Sequence, residues 1–163
     1  MVEHLILSYR VTTRALESRL AKGRLSRNRS RTYLQWSLQL MMISFGSFPR
    51  GVPALDETTP TGRDFPAMNG RELGDLLRQE VDAMDAALDR CRRKFGMERV
   101  AVHPWLGPLR VDQWRRFHVV HGMHHIPQIQ SIIAQVAPER AVIEMSGNSL
   151  AEKLRIPAQS PLA

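Results

Sequence analysis

Four of the chain's six histidines fall within eight positions, in the stretch "WRRFHVVHGMHHIPQI" at residues 114–129. Neutral imidazole is a common ligand for divalent transition metals, and two of these histidines, His121 and His125, are spaced i, i+4. On a helix that spacing places both rings one turn apart on the same side. Helices present two nitrogen ligands to one ion in this way. Two histidines make a weak site. A third from another element would make an open one, with water or substrate completing the sphere. A metalloprotease motif is excluded, because Gly122 and Met123 follow His121 where that chemistry needs an acid.

The face that carries the pair points inward. At ~100° per residue, Trp114, His118, His121, His125, Gln128 and Ile132 fall within a sector of roughly 80°, and the apolar members want burial. His124 is displaced to one edge. His118 and His124 are therefore supporting candidates, able to orient the site or shuttle protons, and Gln128 is a candidate for holding a ligand from behind. His103 precedes a proline in a connecting loop and reads as structural.

The third ligand candidate is His4. Residues 2–21 read as an amphipathic helix in which Val2, Leu5, Tyr9, Val11, Ala15, Leu16 and Leu20 share one broad face, with Glu3, Arg10, Arg14 and Glu17 opposite. His4 lies inside the apolar arc. A buried histidine needs a partner, and metal ligation as neutral imidazole supplies one.

The remaining elements must position these groups. Residues 32–45 are nearly apolar all round and predict a short buried helix. Residues 46–68 are punctuated by proline and glycine and predict a long irregular loop. A long helix starts near Asn69, with Glu72 completing a capping-box spacing. Its core seam runs Leu73, Leu77, Val81, Met84, Leu88, Cys91 and Phe95. Gly96 ends it, residues 97–110 connect, and the last helix runs from about Val111 to Val136. Pro127 lacks the N–H that would bond Met123 and predicts a kink beside the ligands.

Composition sets the outer bounds. With 163 residues the chain is one domain, its single cysteine excludes disulfides and a cysteine-based zinc cluster, and Cys91 reads as a core residue. No stretch approaches the ~18 apolar residues of a membrane span, and no signal peptide is visible, so cytoplasm is the default. The net charge of +7 raises nucleic acid as a partner. Its densest source, the Ser/Arg-rich connector at 22–31, has no interleaved aromatics for base stacking, and a solvated loop is the simpler reading.

"HPWLGPL" at 103–109, followed by "QWRRFHVVHGMHHIPQI" at 113–129, resembles the DinB/YfiT-like superfamily. The closest likeness is to a little-characterised bacterial branch with a His-Pro-x-x-Gly-Pro-Leu, Trp and His-x-x-His-His-x-x-Gln pattern. "EHLILSY" at 3–9 resembles that family's histidine-bearing second helix. The likeness is good over 103–129, fair over 2–20 and poor over 24–68.

The resemblance implies an all-α, four-helix up-down bundle over residues 1–145, with an insert at about 24–68 and a flexible tail at 146–163. It implies a divalent metal, Zn or Ni first and Fe or Mn as alternatives, held by His4, His121 and His125. The implied chemistry is that of a metal-dependent transferase or hydrolase acting on a small molecule, with a low-molecular-weight thiol as co-substrate. Family members carry a further helix before the first histidine. With Met1 three residues before His4, the expectation is either a misassigned start or a missing helix, and the latter would expose an apolar stripe and favour a homodimer or instability. The alternative expectation is a truncated, non-enzymatic bundle serving a structural or interaction role.

Overall fold

A computed structural model describes residues 1–25, 30–49 and 53–136. Among these, four α-helices and one small sheet follow in the order α1 (Val2–Lys22), α2 (Tyr33–Gln39), α3 (Gly70–Phe95), β1 (Arg99–His103), β2 (Gly107–Arg110) and α4 (Val111–Val136). The protein is mostly helical, as expected. The expected tail at 146–163 and the middle of the basic connector lie outside the described residues. The chain divides into two compact units, residues 1–126 and 127–163, and the first contains the candidate site.

Local signals explain where the long helices begin and end. Asn69 caps α3: its side chain accepts from the backbone N–H of Arg71 and Glu72, while Glu72 accepts from the N–H of Asn69. α1 closes at Gly23, whose φ of 63° lets its N–H reach the carbonyls of Arg19 and Leu20. α4 continues through Pro127 to Val136, so the proline does not end the helix.

Cross-helix contacts give the directions of the long helices. Arg10 pairs with Glu80, Glu17 with Arg90, and Lys94 bonds the Leu20 carbonyl, so α1 and α3 run parallel. Against α4 the order reverses: His4 meets His121 and Thr12 meets His118, so those two are antiparallel. Arg115 of α4 bridges to Asp85 and Asp89 of α3. Ile6, Leu16, Leu88 and Cys91 are fully buried between these helices, where each large aliphatic side chain contributes about 1.5–3 kcal/mol. Cys91 is a free core thiol, as expected, and burial pushes its pKa up.

Four expectations are corrected. Residues 97–110 are not a plain connection: β1 and β2 pair antiparallel, and Val100, Leu106 and Leu109 bury completely. His103 is accordingly the last residue of β1 and not a loop residue. α2, with a π-helical turn at Leu40–Ser44, is not a buried helix, since Tyr33, Leu34 and Phe45 are 82%, 63% and 75% exposed. Its buried members are Met42 and the polar Gln39, whose Nε2 donates to the Leu106 carbonyl at 2.6 Å and whose Oε1 accepts from Arg31. Last, Ile132 is 46% exposed, so the inward face of α4 runs Trp114, His118, His121 and His125 and stops there.

Candidate metal centre

Helical geometry alone brings His121 and His125 together. Their Nε2 atoms stand 3.0 Å apart on the buried face of α4. The antiparallel packing of α1 delivers the third ring: the Nε2 of His4 lies 3.2 Å from that of His121. The three ligand atoms all fall within 4.8 Å of one another. Rings of adjacent members meet edge to face, with centroids 4.7–5.2 Å apart. His4 is half-buried where the sequence suggested full burial, and the other two are buried.

The irregular segment before α3 fixes His4. A single 3₁₀ turn at Asp56–Thr58 packs against α1 and aims the Thr58 carbonyl at the ring. Nδ1 of His4 donates to that oxygen at 2.8 Å. A carbonyl only accepts, so the proton sits on Nδ1 and the Nε2 lone pair is left facing the cluster. This is how ligating histidines are commonly held in proteins. Thr58 itself is buried and anchored through Oγ1 to the Leu55 carbonyl.

The charge state agrees with a ligand set. Burial lowers the pKa of His4, partly offset by the Thr58 bond and reinforced by His125. His121 is pushed down to about 2, first by burial and then by the neighbouring rings of His125 and His4. Both are neutral at pH 7 and so able to ligate.

Hydrogen bonding alone does not satisfy the cluster. With Nε2 of His4 bare, a single proton on His121 Nε2 would have to serve both neighbours. Without that proton, two lone pairs would face each other at 3.2 Å. A shared cation resolves both contacts. At Zn–N lengths of ~2.05 Å, tetrahedral ligand atoms sit roughly 3.3 Å apart, close to the 3.0 and 3.2 Å found. The buried Nδ1 of His121 has no partner among the described residues, so this ring lacks the kind of support that Thr58 gives His4. Three neutral imidazoles form a donor set suited to Zn, Cu, Fe or Ni.

The other sequence candidates take different places. His118 is buried with Nε2 at 3.0 Å from Thr12 Oγ1, between the rings of Tyr9 and Trp114. Burial lowers its pKa to about 3, and it helps join α1 to α4. His124 is half-buried at the edge, its ring stacked on Phe48 at 4.7 Å. Gln128 is half-buried and lies in the second unit. His103 is structural, as expected: its Nδ1 accepts from the N–H groups of Trp105 and Leu106 and closes the β1–β2 turn.

Two contributors were missed. Phe48 stacks on His121 at 5.3 Å as well as on His124, walling the site on the loop side. Its signal was one of two aromatics, with Phe65, in a proline- and glycine-rich loop. The Thr58 carbonyl is main chain and left no signal. Beside the cluster lies a mainly apolar cavity of about 440 Å³, with His4 and His121 in its wall.

No family model, curated protein or solved structure matches the chain significantly.

Proposed function

We propose that the protein binds one divalent metal ion through His4, His121 and His125 and uses it in a metal-dependent transferase or hydrolase reaction on a small molecule. The observation that carries the reading is the convergence of one ring nitrogen from each of the three histidines within 4.8 Å, with the His4 proton held on Nδ1 by the Thr58 carbonyl so that its Nε2 is bare. When bound, such an ion supplies Lewis-acid chemistry and acidifies a coordinated water or thiol. His4 and His121 open the site to the adjoining cavity. Phe48 shields the His121 ring, and the His118–Thr12 contact holds α1 against α4 so that His4 keeps its distance.

The likeness of residues 103–129 to the DinB/YfiT-like superfamily supports the same reading and adds a low-molecular-weight thiol as the co-substrate class. It also supports Zn or Ni ahead of Fe or Mn. The test is metal analysis by mass spectrometry of the purified protein beside its His121→Ala variant. Stoichiometric metal is expected in the first and none in the second; full retention in the variant would sink the assignment.

A further inference from the structure

The cavity beside the histidines says what kind of molecule the site takes. Its volume of about 440 Å³ is within the range of small-molecule pockets. Leu34, Leu38, Met42, Phe48, Trp105 and Trp114 dominate its wall. Apart from histidines, Glu57 is the one ionisable residue among the described residues lining it, and it is exposed.

The hydroxyls of the wall are already engaged inside the protein. Ser8 Oγ donates to the His4 carbonyl, Thr58 Oγ1 donates to the Leu55 carbonyl, and Thr12 Oγ1 is paired with His118 Nε2. What remains for a polar ligand group is the corner where His4 and His121 present Nε2, and two buried wall atoms without a partner among the described residues, Trp114 Nε1 and His118 Nδ1. Three neutral imidazoles leave a bound divalent ion with its full positive charge, which favours an anionic donor. A multiply charged or strongly hydrated molecule would have to shed water against mainly apolar walls that return few hydrogen bonds.

We propose that this cavity binds a single-headed amphiphile: an apolar body lying along Leu34, Leu38 and Trp114, and one anionic head ligating at the histidine corner. The inference rests on the metal reading above and adds the substrate class to it. The apolar body supplies affinity through buried area, and the head supplies position.

The full chain loaded with Co²⁺ provides the test, since cobalt's visible spectrum reports both the histidine ligands and any incoming head group. Acetohydroxamate and octanohydroxamate share one head and differ by six methylenes. The expected result is that the octanoyl probe binds about 100-fold or more tightly. Ala15→Trp, which fills the cavity from a half-buried position on α1, should bring the two probes to within about threefold, with acetohydroxamate unchanged. Equal affinities in the unmodified protein would overturn the proposal while leaving the metal reading intact. So would a chain-length preference that survives both Ala15→Trp and Leu38→Trp. Failure of cobalt to bind would overturn the metal reading, and this inference with it.

Discussion

Nε2 of His4 and Nε2 of His121 lie 3.2 Å apart, although 117 positions separate the two residues in the chain. The contact exists because α1 and α4 run antiparallel, and because a backbone carbonyl from a third segment turns the His4 ring towards α4. A site assembled in this way depends unequally on its neighbours.

His4→Ala should therefore weaken zinc binding by more than about 100-fold, since it removes a whole ligand and leaves two. His124→Ala should change it by less than about threefold, because that ring flanks the cluster and packs on Phe48 without belonging to the convergent set. Competition titration with a chromophoric chelator distinguishes the two. Comparable losses from both variants would place the ion elsewhere on α4.

Metal binding should also quiet the 3₁₀ turn. The Thr58 N–H bonds the Leu55 carbonyl at 2.8 Å and the Thr59 N–H bonds that of Asp56 at 3.2 Å. Both depend on a turn joined to the ligand set through His4 Nδ1. At zinc concentrations ~100 times Kd, linkage makes opening about 2.7 kcal/mol harder, a slowing of up to about 100-fold. Hydrogen exchange resolved to residues 55–59 measures this. Slowing confined to α4, with these amides unaffected, would show that His4 is not a ligand.

Much of this arrangement was legible because it follows periodicity. The i, i+4 pair on α4, the seam of α3 through Met84, Leu88 and Cys91, and the Asn69–Glu72 box are all local, and each appears at its expected place. Apolar content misled at α2. There Tyr33 and Leu34 are exposed while Gln39 is buried, because Gln39 ties the helix to the carbonyl of Leu106. The hairpin escaped notice because strands of five and four residues are too short for alternation to register. The Thr58 carbonyl was beyond reach in principle: every residue has one, and tertiary packing alone selects which is used.

His103 makes stability depend on pH. Burial lowers its pKa from 6.5 to about 4. Below pH 6.5 the unfolded chain takes up a proton that the folded chain refuses, so stability is complete above 6.5 and falls as pH drops towards 4. A shift of this size is worth about 3 kcal/mol. His103→Asn keeps an acceptor for the N–H groups of Trp105 and Leu106 but does not titrate, so its urea midpoint should fall less steeply over that window. Parallel profiles in the presence of a chelator would refute a role for this ring. His118, with a pKa of about 3, supplies a remaining slope in both proteins.

Two glycines should respond to alanine with opposite signs. Gly107, first residue of β2, has φ of 71°, and a Cβ there would meet Gln35 Oε1 at 2.7 Å. Gln35 is not free to move aside without cost, because that same oxygen accepts from the Thr32 N–H in the capping box of α2. Backbone strain and a disturbed cap together predict a loss of about 1–3 kcal/mol for Gly107→Ala. Gly74 lies within α3, where a Cβ would meet nothing within 4 Å. Alanine there lowers the entropy of the unfolded chain and suits the helix, predicting a gain of about 0.5–1 kcal/mol. Thermal melts of the two variants beside the parent decide the matter. Destabilisation by Gly74→Ala would mean that the outer face of α3 is covered by a partner that a methyl group displaces.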